Sequence, residues 1–254
     1  MSLKQFFRSQ TAGLKSSGKK RTIAQLESEA FRDQRSCKHV SCPKPPTVLF
    51  GSKDRDTAKT IRLAIKDHVK NGGRKPDPDA QLLLCSIASF PINTKHLEDS
   101  PILYWIYCQW TKAVMTWCKS RYGNQLHKVI QHTDERYPHL HIWATAKTIG
   151  KRFELGPVNA GFYAQRGLAP QERMPAFKQA WRGVQNDFWW SVSRWFGFAR
   201  LAEKPEPRLP YRTAIVKRNK QKENKQPQGE INVHEDLADT FEMLPTRVVN
   251  RFHP

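Results

Sequence analysis

Three histidines within ten residues constrain the middle of this chain more than any other feature. The segment reads His132-Thr-Asp-Glu-Arg-Tyr-Pro-His139-Leu-His141. His139 and His141 stand two apart in an apolar run that reads as a strand, and the period of two puts both imidazoles on one face. Leu126–His132 reads as the strand before it, and Asp134–Pro138 turns the chain between the two. If the hairpin pairs His132 with His139, residue 130 lies opposite His141 and all three rings share a face. Opposed Cβ atoms are about 5 Å apart, so one divalent ion can reach every ring. Three neutral imidazoles leave positions open on an ion, which is a catalytic arrangement rather than a closed structural site. Asp134 and Glu135 sit beside the cluster, placed to orient a ring N–H or help hold the ion. A pair of histidines at this spacing arises by chance. A third at the hairpin's other end, with two carboxylates and a proline in the turn, makes the cluster informative.

The rest of the chain supplies a frame for that hairpin. Gln81–Phe90 is a short apolar run that reads as a buried strand. Thr57–Lys70 reads as an amphipathic helix. Pro101–Arg121 is a helix with Leu103, Ile106, Trp110, Val114 and Trp117 at helical spacing, stopped by Gly123. His139–Thr148 is the third strand, antiparallel to the second. Gln171–Phe196 reads as one long helix with Phe177, Trp181, Val184, Phe188, Val192 and Trp195 along one face and Gly197 as its cap. Residues 1–36 read as a flexible basic arm with a short helix over Ala24–Arg35. Residues 37–202 read as one domain. Residues 203–254, which include the charged run Lys217–Lys225, read as a mostly disordered tail.

The balance of charge narrows the partner. Among 254 residues, 43 Lys and Arg stand against 23 Asp and Glu, a net charge of +20. Such a surplus favours a polyanion, nucleic acid first. No run of about 18 apolar residues is available to cross a bilayer. Met1–Lys20 lacks the apolar stretch of a secretory signal, and the odd number of cysteines, 5, does not suit a disulfide framework. A cytoplasmic location is therefore expected.

His-x-Asp-Glu-x-x-Pro-His-x-His resembles the metal motif of the HUH endonucleases. Within them it is most similar to that of the MobV-type (Pre/Mob) plasmid mobilisation relaxases. Trp117-Cys-Lys-Ser-Arg-Tyr-Gly123 resembles the helix end before the family's metal strand. Gln185-Asn-Asp-Phe188 followed by Phe196-Gly-Phe-Ala-Arg200 resembles its helix with a Gly-Leu-x-Arg-like signature. The likeness spans roughly residues 39–200 and is specific at 132–141. It implies an α+β fold, a central antiparallel sheet of about five strands with packed helices. It implies Mg²⁺ or Mn²⁺ on His132, His139 and His141, although imidazole ligands alone suggest zinc. The implied reaction nicks single-stranded or hairpin DNA at a plasmid or mobile-element origin, keeps a covalent 5′-phosphoryl enzyme, and re-joins the strand. Relaxosome or secretion-coupling proteins in a bacterial cytoplasm would be further partners.

The attacking residue is less plainly written. MobV-type enzymes can use a histidine in a motif like His-x-x-Arg. His39-Val-Ser-Cys42 lies where it is expected, with Cys42 in place of the arginine, so His39 is the first candidate. Tyr163 is the second, because tyrosine follows the metal strands in rolling-circle replication initiators and HUH transposases. Tyr137 occupies a turn, Tyr104 and Tyr107 belong to an apolar helix, and Tyr122 ends it. Glu135 joins the catalytic candidates. Cys37-x-His39-x-x-Cys42 is an alternative start of a zinc site, without a second Cys/His pair at usable spacing. Lys19, Lys20 and Arg21 of the arm, with Arg152, Arg166 and Arg182, are candidate phosphate contacts. Trp189 and Trp190 lie off the apolar stripe and are candidate stacking platforms. A DNA-binding protein without cleavage is the alternative of a different class.

Overall fold

The computed structural model describes residues 3–16 and 20–200. The expected tail and Lys19 lie outside the described residues. Five strands form one antiparallel sheet in the order β1-β3-β5-β4-β2. They are β1 (Phe6–Ala12), β2 (Thr47–Phe50), β3 (Leu83–Ser89), β4 (Leu126–His132) and β5 (His139–Thr145). Central β3 and β5 are covered on both faces. That is why their sequences, Leu-Leu-Cys-Ser-Ile-Ala-Ser and His-Leu-His-Ile-Trp-Ala-Thr, run nearly without an exposed position.

Two long helices pack on one face of this sheet, α4 (Pro101–Tyr122) and α6 (Pro170–Ser191). Phe7 of β1 stacks on Phe188 at 4.7 Å and meets Trp117 edge-on at 5.4 Å. The Gln131 amide donates to the Tyr107 hydroxyl at 2.7 Å. Ser100 caps α4 by accepting from the Leu103 amide, Pro101 opens the helix, and Gly123 ends it at φ 50°. The long helix expected to reach Phe196 is broken. It stops at Ser191 where Val192 leaves helical geometry, and a tighter turn over Ser193–Phe196 leads to Gly197 at φ 69°.

The other face carries α1 (Ile23–Ala30) and the loop that leads to α2 (Thr57–Lys70). Thr22 and Gln25 cap α1 reciprocally, each side chain bonding the other's backbone amide. Lys128 of β4 is fully buried on this face. Its ammonium is satisfied by the Asp54 carbonyl at 2.5 Å, the Asp56 carboxylate at 3.1 Å and the Phe31 ring. Short α3 (Thr94–Asp99) follows β3 and pins the histidine turn, since Thr94 donates its hydroxyl to the Glu135 carbonyl and its amide to the Arg136 carbonyl. The third strand ends earlier than expected. Ala146 bonds the Leu82 carbonyl, and the chain then forms a separate hairpin, β6 (Lys147–Ile149) with β7 (Arg152–Glu154). Short α5 (Ala160–Ala164) precedes α6.

The largest departure is at the start of the chain. Residues 1–36 read as a flexible arm, yet β1 lies within them and pairs with β3 along its whole length, and α1 docks on the sheet. The signal is faint because β1 is an edge strand with one face open. In Phe-Phe-Arg-Ser-Gln-Thr-Ala only Phe7 and Ala12 are buried. Phe7→Ala removes a ring held between Trp117 and Phe188, which should cost about 3–5 kcal/mol. Urea unfolding, with hydrogen exchange at β1 amides, checks this; an unaffected midpoint would return the segment to the status of an arm.

Candidate metal centre

The register of the β4–β5 hairpin builds the site. His132 pairs with His139 and Ile130 with His141, so the three imidazoles share the face that carries α1. Their ring centroids lie 4.6 to 5.2 Å apart. One ligand nitrogen from each falls within 4.8 Å of the others, and all three residues are buried. His132, Asp134 and Glu135 form an overlapping cluster by the same measure.

The hydrogen bonds fix which nitrogens face inward. His132 Nε2 lies 2.8 Å from the Ala30 carbonyl, and His139 Nδ1 lies 3.1 Å from the Tyr137 carbonyl. A carbonyl only accepts, so both of these nitrogens carry the proton. The remaining nitrogens, His132 Nδ1 and His139 Nε2, then point lone pairs at each other across 3.2 Å. Two facing lone pairs repel unless a cation lies between them. Two nitrogens each about 2.1 Å from one ion stand about 3.0–3.4 Å apart. The donor set therefore fits a metal ion.

Burial keeps the rings neutral. It pushes His132 down to about 3, helped by the Arg32 charge and by His139. His141 is held well below the usual range by burial and then by His132 and His139. Burial lowers His139 too, against the opposing pull of Glu135.

Arg32 is the residue that sequence reasoning missed. It follows α1 in the left-handed region at φ 60°, the one non-glycine at positive φ among the described residues. That position after a helix usually falls to glycine, and a side chain there costs roughly 1–2 kcal/mol. The guanidinium offsets this. Only 4% of the side chain is exposed. Nε and Nη2 grip the two oxygens of Asp134 at 2.8 and 2.5 Å, and Nη2 also reaches Glu135 at 3.0 Å. Burial opposes the charge on Asp134, but Arg32 and the Lys44 amide outweigh it and its pKa is lowered. No local pattern announces this residue, because its partners lie 102 and 103 positions away.

His39 stands at the rim. Its Nε2 lies 3.7 Å from Glu135 Oε1, which in turn lies 3.8 Å from His139 Nε2. Glu135 is thus shared by Arg32, His39 and the histidine cluster. Tyr163 is not at the site. It is 62% exposed and lines a cavity between α4 and α6 with Trp117 and Asp187, in the layer on the opposite sheet face. Its place after the metal strands in sequence does not specify a sheet face, which is why the expectation failed. Tyr107 is core as expected, but Tyr104 is 56% exposed. The Cys37-x-His39-x-x-Cys42 alternative is not assembled. Cys37 is buried with its thiol bonded to the Asp33 carbonyl, Cys42 is exposed, and neither joins a ligand cluster among the described residues.

The candidate DNA contacts scatter. Arg166 pairs with Glu154 and lies over the Tyr163 ring. Arg21 pairs with Glu29 while Lys20 is exposed. Arg182 is exposed on α6 and Arg152 on β7. The Trp189 indole donates to the Phe198 carbonyl at 2.8 Å, so this side chain fastens the chain after α6; Trp190 is 54% exposed beside Arg194.

No family model and no curated protein sequence matches the chain. Solved structures do. Two Mn-bound crystal structures of the MobM relaxase domain (MOBV; Mob_Pre) in complex with plasmid pMV158 oriT DNA superimpose with TM-scores of 0.51 and 0.50 at 17% identity. They cover 85% of this chain and 98% and 99% of the matched chains. The fold is that of a MobV-type relaxase domain.

Two outcomes follow from the geometry. Arg32→Met strands the buried Asp134 charge and should cost about 3–5 kcal/mol in urea at pH 7. Asp134→Asn in the same chain should recover part of that loss. The second concerns acid. The folded histidines bind protons less readily than the unfolded ones, which titrate near 6.5. Stability in chelator is therefore full above pH 6.5 and falls as pH drops below it, by about 1.4 kcal/mol per pH unit for His132 down to about 3, with His139 and His141 acting in the same direction. Thermal melts across this range, compared with a His132→Gln variant, measure the slope.

Proposed function

We propose that this chain nicks and re-joins single-stranded DNA, with His132, His139 and His141 holding a divalent metal ion and His39 as the nucleophile. The observation that carries the reading is the pair of inward lone pairs on His132 and His139, with Glu135 bridging from His139 to His39. The MobM relaxase domain, whose fold this chain shares, is bound to manganese and oriT DNA in its own crystal structures. The net charge of +20 suits the same kind of partner.

A divalent ion at the three histidines would polarise the scissile phosphate and stabilise the charge that grows on it. The remaining work falls to the chain's own groups. Glu135, held by Arg32, takes the proton from His39 Nε2, and a ring lone pair attacks phosphorus. An N–P bond forms as the bond from phosphorus to the 3′ oxygen breaks. The electron pair leaves on that oxygen, which takes up a proton to become a free 3′-OH. The 5′ phosphoryl group stays on His39. Attack by the 3′-OH reverses each step, and no nucleotide cofactor is consumed. Arg32 acts here by position, fixing Glu135 between the two histidines.

The test is a covalent adduct on denaturing gels after incubation with Mn²⁺ or Mg²⁺ and a pool of single-stranded oligonucleotides. Wild-type protein should give an adduct that is released by mild acid, as a phosphoramidate is. EDTA or His139→Ala should suppress it, and His39→Ala should abolish it. An acid-stable adduct lost in Tyr137→Phe would assign the attack to tyrosine. Binding with no adduct under either ion would leave a DNA-binding protein without cleavage.

A further inference from the structure

The histidines stand in rows that run across the whole sheet, and the rows end on β1. Directly paired residues of antiparallel strands turn their side chains to the same face. His132 pairs with His139, His139 with Ser89, and Ser89 with Phe6. Ile130 pairs with His141, His141 with Ile87, and Ile87 with Arg8. Phe6 and Arg8 therefore lie on the histidine face, two strand spacings from β5, about 10 Å. α1 covers the β4 half of this face, while Phe6 and Arg8 are both exposed. Ser89, which stands between Phe6 and His139 in its row, is short and half-buried, so no tall side chain of the sheet separates them.

The two side chains form a pair that packing does not explain. Phe7, not Phe6, fills the aromatic layer of the other face. The Arg8 guanidinium lies 5.7 Å from the centroid of the Phe6 ring, looser than the 4.2 Å of Arg194 over Trp195. Among the described residues no carboxylate oxygen lies within 4.0 Å of that guanidinium. Its charge is felt at the centre: burial does most to keep His141 neutral, and Arg8 is among the cations that add to it. An exposed ring beside an unpaired guanidinium suits a nucleotide. The base stacks on the ring, and the phosphate takes the guanidinium.

The position of this pair says which end of a cut strand it meets. His39 comes from the segment that leads into β2, the edge strand beside β4, and β1 is the opposite edge. In an in-line displacement the attacking and leaving atoms stand on opposite sides of phosphorus. A phosphate at the histidine cluster, attacked by His39, therefore turns its leaving 3′ oxygen away from β2 and toward β1. We propose that Phe6 and Arg8 hold the nucleotide that carries this oxygen, Phe6 by stacking on its base and Arg8 by pairing with its 5′ phosphate. The proposal rests on the reading of the histidines as a cleavage centre and concerns the strand end that is not covalently held. The adduct on His39 keeps one end of the cut, and this subsite keeps the other. A 3′-OH held there is placed to return. Its oxygen bonds phosphorus, the N–P bond breaks with its electron pair going back to the ring nitrogen, and the proton lost by the hydroxyl restores the neutral imidazole.

The test uses the adduct of the full chain. Adduct formed with Mn²⁺ and a single-stranded oligonucleotide is separated from the released 3′-OH fragment. That fragment is then added back in increasing amounts while re-joined strand is measured. For Phe6→Ala the fragment concentration at half-maximal re-joining should rise about fivefold or more, the low end for loss of one base stacked on an aromatic side chain. A fragment whose 3′-terminal nucleotide lacks its base should cost the wild type as much and cost Phe6→Ala nothing further. Arg8→Gln should raise the same concentration and make its dependence on salt, both on log scales, shallower by about 1. Mn²⁺ uptake should be unchanged in both variants, which shows that fold and metal centre are intact. Equal half-maximal concentrations for wild type and Phe6→Ala would overturn the proposal, as would an undiminished effect of the missing base in Phe6→Ala. Wild-type protein that forms no adduct would instead overturn the cleavage reading itself, and this proposal with it.

Discussion

The bidentate contact between Arg32 and Asp134 holds together what the hairpin alone would leave loose. A two-strand turn with three histidines presents the rings on one face but does not aim them. Aim comes from outside the hairpin. The Ala30 carbonyl sets the tautomer of His132, Arg32 fixes both carboxylates of the turn, and Thr94 bonds the Glu135 carbonyl from the other side. The desolvation of two buried charges is compensated only because their geometry is near ideal and the Lys44 amide satisfies a further lone pair. The left-handed backbone of Arg32 is a cost that the surrounding contacts hold in place, as is common where strain serves a site.

The two sheet faces divide the labour. Trp117, Phe188 and Phe7 form a buried aromatic layer under one face, away from the histidines. The opposite face is covered by α1 over β4, while Arg8 and Gln10 of β1 remain open to solvent. The histidines lie between the closed and open parts, all three buried, with half-exposed His39 and Glu135 at their rim. That burial keeps the imidazoles neutral.

What could be read from the sequence followed the range of the signal. The histidine hairpin was legible because alternation is local, and its register emerged as expected. The bounds of α2 were legible because its apolar positions repeat at helical spacing. β1 was not, since an edge strand with a polar open face carries half of the usual alternation. Arg32 was not, because neither a positive φ nor a partner about a hundred residues away leaves a mark on neighbouring residues. Tyr163 misled for a related reason: order along the chain does not say which side of a sheet a residue will occupy. His39 was placed by likeness to a family, and the turn that brings it beside Glu135 is a tertiary fact.

The distance in sequence between the hairpin and its clamp also sets an order of assembly. β4 and β5 are joined by a short turn and can pair on a timescale of about 1–10 μs. Arg32 and Ala30 must close a loop of roughly a hundred residues to reach them, and β1 must wait for β3 to be synthesised. Closing the short hairpin loop costs less chain entropy than closing the hundred-residue loop, so gathering the imidazoles does not require the guanidinium that orders the turn. The hairpin by itself thus offers nitrogen donors that only the docking of α1 desolvates and fixes in one tautomer.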